Sequence, residues 1–193
     1  METTKSAKVE SVDMKLEVVV LGVSDVNRAK AFYEKLGWRL DIDIVAGNDF
    51  RGVQMTPHNS EASIIFGKGV TSAKSSSAEL VLAVDNVDVA RNDLIARGVL
   101  VSEVFHYAGG PFNNAMENPG VAGRDPEGRS YFSFASFEDP DGNEWLLQEI
   151  QTRLPGREWK STQARATDVA DLAELLHETE QHHGQYENTH GKH

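Results

Sequence analysis

The pattern of apolar and polar positions along the chain occurs twice, at places 61 residues apart. Each copy is an apolar run, then an Asp or Asn, then an amphipathic stretch that ends at a glycine. Matched pairs under this offset include Val20 with Val81, Asp25 with Asn86, and Gly37 with Gly98. Self-similarity of this kind predicts an internal duplication, and a duplication predicts a site between the two copies.

The first copy predicts a β-α-β-β-β module. Residues 16–23 are rich in β-branched side chains and predict a buried strand. Asp25 is predicted to cap a helix over 26–36, and Gly37 is predicted to end it, because a left-handed residue is favoured there. Further strands are predicted over residues 38–44, 50–56 and 63–67.

The second copy predicts the same order of elements. A strand over 79–84 leads to a cap at Asn86 and a helix over 87–97 that ends at Gly98. Strands are then predicted over residues 99–105, 130–137 and 144–151. The turn EDPDGN predicts a hairpin, since Asp-Gly supplies the positive φ angles that such turns need.

An insertion distinguishes the second copy from the first. Aligning Pro57 with Pro140 gives an offset of 83, so the second copy carries 83 − 61 = 22 additional residues. They fall within 106–128, a segment rich in glycine, asparagine and proline and without periodicity. We therefore expect a loop there, and a long loop in a compact domain is typical of a lid or a binding loop.

Composition narrows the classes of function. The chain of 193 residues has 19 basic and 30 acidic side chains and a formal charge of −11, which argues against nucleic acid or anionic membrane as a partner. Without cysteine it has no disulfide, thiolate nucleophile or thiolate metal site. No apolar run is long enough to span a bilayer, and METTKSAKVE lacks a signal-peptide core, so a cytoplasmic location is expected.

The domain organisation follows from these elements. Residues 1–14 are predicted to be a flexible arm, and residues 15–155 one domain, with modules over about 15–70 and 77–155. Residues 156–193 are predicted to be a linker, an amphipathic helix over 167–181 and a histidine-rich tail. That helix must bury its apolar stripe on its own domain or on a second subunit, so both a monomer and a homodimer stay open.

The segments VSDVNRAKAFYEKLGW, VDNVDVARNDLIARGV and FEDPDGNEWLLQE resemble the vicinal oxygen chelate superfamily. This group contains glyoxalases, bleomycin- and fosfomycin-resistance proteins, extradiol dioxygenases and methylmalonyl-CoA epimerases. The resemblance covers roughly residues 15–155 and implies an α+β fold, in which two β-α-β-β-β modules place curved sheets side by side around a funnel. It does not select a reaction, because this fold hosts many activities.

The resemblance also implies four positions for a divalent ion, on the first and last strands of each module. Carried over to this chain, they are Val18, Ser63, Glu79 and Leu146. Only Glu79 is a good ligand, whereas divalent ions need several oxygen or nitrogen donors. A slip of one residue would replace Val18 by Glu17, and a larger slip on the last strand would bring in Glu144. We therefore expect no cofactor, with a divalent metal at Glu79 as the alternative.

Alternation along the strands predicts which side chains line the funnel. These are Val18, Val20, Glu79, Val81, Leu146 and Gln148. Desolvation in such surroundings should raise the pKa of Glu79 and suit it to acid/base catalysis. The alternative is that Glu79, at the start of a strand, is simply exposed to solvent. Further candidates for ligand binding are His106 and Tyr107 at the start of the long loop, and Gln54, Arg129 and Tyr131 on predicted strands. Surface or packing roles are their alternatives.

Three functions remain open on the sequence. The first is an atypical, metal-independent enzyme that performs proton transfer, isomerisation or lyase chemistry on a small carbonyl or aromatic compound, with Glu79 as the acid/base. The second is a non-catalytic protein that binds a drug-type small molecule. The net negative charge of the protein would suit a cationic ligand. The third is a metal-dependent glyoxalase or extradiol dioxygenase.

Overall fold

A computed structural model of the chain describes residues 14–76, 78–108, 120–155 and 157. The predicted helix over 167–181, the histidine-rich tail and most of the predicted arm lie outside the described residues. The chain divides into two compact units, and the first, which ends at Gln151, contains both modules. In this unit, no described helix is long and apolar enough to cross a membrane.

Both modules have the predicted order of elements. The first contains β1 (Val18–Val20), α1 (Val26–Lys35), β2 (Arg39–Ala46), β3 (Phe50–Thr56) and β4 (Ser63–Lys68). The second contains β5 (Glu79–Val84), α2 (Val87–Ala96), β6 (Phe105–His106), β7 (Val121–Ala122), β8 (Ser133–Glu138) and β9 (Glu144–Glu149). The short strand β7 is an addition that the duplication does not predict.

Each module forms one sheet. The first sheet has the order β1-β4-β3-β2, and the second has the order β5-β9-β8-β6-β7. In both, the first strand lies parallel to the last strand of its module, β1 beside β4 and β5 beside β9. The predicted α+β class is therefore confirmed, and β1 and β5 are terminal strands of their sheets.

The helix ends confirm the local part of the sequence analysis. The Asp25 carboxylate accepts hydrogen bonds from two backbone N–H groups of the first turn of α1, at 2.9 and 3.0 Å. The Asn86 side chain accepts one from the N–H of Val89 at 3.0 Å. Gly37 and Gly98 follow the two helices with φ of +80° and +75°, the left-handed region in which glycine is favoured.

Three predictions for the second module need correction. Residues 99–105 form no continuous strand, since Val101 makes an isolated bridge to Phe137 and β6 begins only at Phe105. The apolar pattern there reflects core packing instead. Residues 106–128 are not all loop, because β7 pairs with β6. Tyr131 has a φ of +75°, which interrupts extended backbone, so β8 begins at Ser133 and not at residue 130.

A single hydrophobic core contains side chains from both modules. Tyr33 of α1 is fully buried and stacks on Trp38 with ring centroids 4.9 Å apart. It also meets the edge of Trp145 of β9, at 6.0 Å. The core therefore joins the first module to the second through aromatic contacts.

The turn before β9 adds a buried polar junction between the modules. Asp139 Oδ1 accepts the backbone N–H groups of Asp141 and Asn143, at 2.8 and 2.9 Å. Asp139 Oδ2 accepts the Tyr33 hydroxyl at 2.7 Å and the Asn143 side-chain amide at 2.8 Å. One buried carboxylate thus shapes the predicted Asp-Gly turn and also binds it to α1.

Candidate functional site

Side-chain alternation divides each sheet into a core face and an outer face. Val19, Leu80 and Leu82 pack against the core, while Ile64, Trp145 and Leu147 are part of it. Their neighbours along the strands therefore lie on the opposite side. The first outer face carries Val18, Val20, Gln54, Thr56, Ser63 and Ile65, and the second carries Glu79, Val81, Phe134, Glu144, Leu146 and Gln148. All six residues predicted by alternation lie on these two faces.

Aromatic side chains cluster on the second outer face. Phe105 stacks on Phe134 with ring centroids 5.7 Å apart, because Phe105 on β6 lies across from Phe134 on the neighbouring strand β8. Tyr107 lies at 5.5 Å from Phe105 and 5.3 Å from Phe134. The sequence predicts a binding role for Tyr107 but not for the two phenylalanines, because their proximity depends on pairing between β6 and β8.

Two carboxylates lie beside this aromatic cluster. Glu79 and Glu144 are register partners on β5 and β9, so their side chains leave the sheet on the same face. Both residues are exposed. Burial raises the pKa of the Tyr107 hydroxyl, and the negative charges of Glu144 and Glu79 raise it further. The ring cluster and both carboxylates are therefore within electrostatic reach of one another.

The positions carried over for a metal ion do not form a ligand set. Val18 lies across from Ser63, and Leu146 lies across from Val81. Because Val18 and Leu146 have no donor atom, these positions do not supply what a divalent ion requires. In the part of the chain that the structure describes, no group of three His, Asp or Glu side chains is arranged to hold a metal.

The pairing register also changes the comparison between the two modules. Ser63 lies across from Val18, whereas the residue across from Glu79 is Glu144. The two last strands therefore correspond at an offset of 144 − 63 = 81, two residues less than the offset from the prolines. Glu144 is thus the counterpart of Ser63 by pairing, and it contributes a second carboxylate to the second outer face.

A chain of hydrogen bonds crosses the first outer face. The Thr56 hydroxyl donates to Asp41 Oδ2 and lies 2.7 Å from the Ser63 hydroxyl. Arg39 Nε donates to the other oxygen of Asp41 at 2.6 Å. Burial raises the pKa of the Asp41 carboxyl, but hydrogen bonds from Thr56, Arg39 and Ser63 outweigh it and hold the pKa below its usual value. We refer to these four residues as the Ser63 relay.

The remaining candidates lie in two places. Gln54 is half-buried on the first outer face, across from Ile65. Arg129 is not on a strand: it binds both oxygens of Asp125, at 2.6 and 3.1 Å, and lies 4.0 Å above the ring of Phe132. These contacts fix the turn before β8, and they hold the pKa of Asp125 down to about 2 against the effect of burial.

The side chains of two further predicted residues form hydrogen bonds with backbone carbonyl groups. His106 Nδ1 lies 2.9 Å from the carbonyl oxygen of Gly123, which ties β6 to the segment after β7. Gln148 donates its side-chain amide to the carbonyl of Tyr131 at 3.0 Å. Tyr131 itself precedes β8 in a left-handed conformation and is not a strand residue. His106 thus ties β6 to the segment after β7, and Gln148 ties β9 to the segment before β8.

A family model for the Glyoxalase/Bleomycin resistance protein/Dioxygenase superfamily matches residues 15–147. The match covers more than half of the chain, so the chain belongs to this superfamily. The predicted resemblance is thereby confirmed at the level of family and fold. No curated protein gives a significant match to the sequence.

Solved structures include similar proteins from bacteria. TnmS3, an antibiotic binding protein from Streptomyces sp. CB03234, is 26% identical with a TM-score of 0.53, covering 73% of this chain and 99% of that chain. A glyoxalase/bleomycin resistance protein from the same organism is 28% identical with a TM-score of 0.49, covering 70% and 100%. A superfamily member from Sphaerobacter thermophilus DSM 20745 is 22% identical with a TM-score of 0.52, covering 71% and 98%.

Proposed function

We propose that this protein is a non-catalytic binding protein that sequesters a planar aromatic small molecule carrying a positive charge. The observation that carries the proposal is the second outer face, where the half-buried rings of Phe105 and Tyr107 pack on the buried ring of Phe134, within electrostatic reach of the carboxylates of Glu79 and Glu144. Aromatic rings favour a flat apolar ligand through stacking and edge contacts. Carboxylates at their margin favour a cation over a neutral or anionic ligand.

The rest of the molecule is compatible with this ligand. The formal net charge of −11 creates a field that attracts cations and repels anions. Exposed apolar side chains on both outer faces, such as Val20 at 46% and Val81 at 55%, provide surface that a ligand can cover. The similarity to TnmS3, an antibiotic binding protein, supports small-molecule binding as a function that this fold can perform.

The acid/base enzyme differs from this proposal in the role of one residue. In the enzyme, Glu79 would exchange a proton with the substrate, and the bound molecule would leave changed. In the binding protein, Glu79 acts only by its charge, together with Glu144. Glu79 is exposed at the start of β5. Recovery of the ligand after binding distinguishes the two functions.

Charge selectivity provides a direct test. Proflavine is a planar tricyclic cation, and 9-anthracenecarboxylate is an anion with a ring system of the same size. We expect proflavine to bind at least about tenfold more tightly in fluorescence titrations at low salt, because two carboxylates adjoin the rings. Mass spectrometry should recover it unchanged. Equal affinity for both probes, or tighter binding of the anion, would contradict the proposed ligand class.

The two outer faces also suggest how the site is enclosed. In the part of the chain that the structure describes, β1 and β5 are terminal strands, and a terminal strand presents unpaired backbone groups. A second copy that placed its β5 beside β1 would bring its second outer face next to the first outer face. We therefore include a two-fold homodimer in the proposal, because pairing would create a walled cavity from two open surfaces.

The dimer makes its own prediction. Light scattering after size-exclusion chromatography should give twice the mass of the chain. Val81→Asp should shift this mass towards the monomer, because it places a charge on an apolar surface beside the β5 edge. Val89→Asp is the matched control, since Val89 is 66% exposed on α2 and should leave the mass unchanged. A monomeric wild-type protein would contradict the dimer. The proposed ligand class would still be tested separately by the comparison of proflavine with 9-anthracenecarboxylate.

A further inference from the structure

The Ser63 relay is a built polar feature on a face that is otherwise largely apolar. Thr56 is 2% exposed and Ser63 is 7% exposed, so both hydroxyls are almost completely buried. Asp41 and Thr56 lie on neighbouring strands, and the ladder between β2 and β3 shifts register beside Asp41, between Leu40 and Ile42. Asp41 accepts hydrogen bonds from Thr56 and Arg39.

The direction of the protons in the relay follows from counting donors. The Asp41 carboxylate is ionised and only accepts, so the single proton of Thr56 is committed to it. The Ser63 hydroxyl lies 2.7 Å from the Thr56 hydroxyl and also hydrogen-bonds to Asp41, so its single proton is donated to one of these two acceptors. The hydroxyl proton of Ser63 therefore points into the relay. What Ser63 can offer to any other group is a lone pair.

Ser63 lies on the first outer face, which a partner's second outer face would adjoin in the proposed homodimer. It lies across from Val18 at the edge of the first outer face, and Val20 follows on the same side of β1. Gln54 and Ile65 are the next pair along the same face. A ligand spread over these apolar side chains would meet Ser63 at its margin, where a hydrogen bond adds orientation to non-directional contact.

We propose that Ser63 is a specificity-determining residue that accepts a hydrogen bond from an N–H or O–H group of the ligand. Asp41 and Thr56 act as positioning residues, because they commit the Ser63 proton and leave the site an acceptor. A ligand with only acceptors at that place would confront a lone pair and lose affinity. This inference rests on the proposed binding function and on its homodimer, which brings the first outer face to the ligand, and it adds the polar group that the ligand carries.

The direction of hydrogen-bond donation in the Ser63 relay can be reversed by the substitution Asp41→Asn, which replaces one oxygen atom by nitrogen. Arg39 holds Oδ1 of residue 41, so in Asp41→Asn the amide oxygen remains with Arg39 and the amide nitrogen faces Thr56. Thr56 then accepts from the amide and donates its own proton to Ser63. The Ser63 proton is released towards the ligand. The variant should therefore prefer ligands that accept a hydrogen bond at the same place.

A matched pair of probes measures this preference. 2-Naphthol donates a hydrogen bond, whereas 2-methoxynaphthalene has the same rings and only accepts. We expect the wild-type protein to bind the naphthol about tenfold more tightly, and Ser63→Ala to reduce this ratio to about one. Asp41→Asn should reverse the preference. Ser72→Ala is the control, because Ser72 is exposed and lies outside the relay.

The possible outcomes distinguish a failure of the acceptor role of Ser63 from a failure of the proposed binding function. If the two naphthalenes bind equally to the wild-type protein, or if Ser63→Ala retains the preference, the acceptor role is wrong while proflavine binding still supports the site. If proflavine and both naphthalenes fail to bind, the proposed function itself is contradicted. A ligand-free measurement checks the relay: Thr56→Val should raise the pKa of the Asp41 carboxyl in an NMR titration, and an unchanged pKa would overturn the relay.

Discussion

Asp139→Ala is expected to lower the free energy of unfolding by about 3–5 kcal/mol. The carboxylate of Asp139 accepts four hydrogen bonds, two from backbone N–H groups in the Asp-Gly turn and two from Tyr33 and Asn143. Alanine would leave these buried donors without a partner and would leave a void beside Tyr33. The turn connects the modules, so its loss should affect the whole compact unit. Urea denaturation measures the difference.

Two matched variants calibrate this prediction. Tyr33→Phe removes one donor and keeps the ring in the core, so it should cost about 1 kcal/mol. Asp49→Ala removes a carboxylate whose side chain is 98% exposed and whose contact with Lys68 is 3.3 Å long, so stability should change by less than about 0.5 kcal/mol. A stability of Asp139→Ala close to that of Asp49→Ala would show that the turn does not hold the modules together.

The largest effect on binding is expected from the paired carboxylates. Glu79→Gln and Glu144→Gln should each weaken proflavine binding by about tenfold, and the double variant by about a hundredfold, because each removes one attractive charge beside the rings. Glutamine keeps the size and polarity of the side chain. The change should therefore appear in affinity and leave the thermal stability unaltered. Fluorescence titration of the single and double variants provides the measurement.

Salt and a remote carboxylate serve as controls for this effect. The difference between wild type and the double variant should shrink as ionic strength rises, since exposed charges are screened. Glu34→Gln makes the same chemical change on α1, where the side chain is 48% exposed, and should alter affinity by less than twofold. If Glu34→Gln weakens binding as much as Glu79→Gln, the effect belongs to net charge and not to the second outer face.

The fold could be predicted because its signals are local. Asp25 and Asn86 cap their helices with their own side chains, and Gly37 and Gly98 end them through their own φ angles. Such features depend on residues close in sequence and can therefore be predicted without knowledge of the tertiary structure. The duplication repeats them, so the β-α-β-β-β order is predicted independently by each copy.

The candidate site could be predicted only in part, because register is not local. Alternation assigns Glu79, Val81 and Leu146 to one face, yet only strand pairing shows that Glu144 lies across from Glu79. The meeting of Phe105 with Phe134 likewise needs the β6–β8 ladder. The Ser63 relay depends on pairing among β2, β3 and β4 that brings Asp41, Thr56 and Ser63 together, and no pattern within one strand predicts this meeting.

On this proposal, the protein binds a cationic aromatic molecule and releases it unchanged. The most direct test incubates the protein with proflavine over many binding half-lives, separates the ligand and determines its affinity and its mass. We expect saturable binding, with complete recovery of the same molecule and with loss of affinity in Glu79→Gln. Steady conversion of the ligand into a new product, abolished in Glu79→Gln, would contradict the binding function and establish the acid/base enzyme in its place.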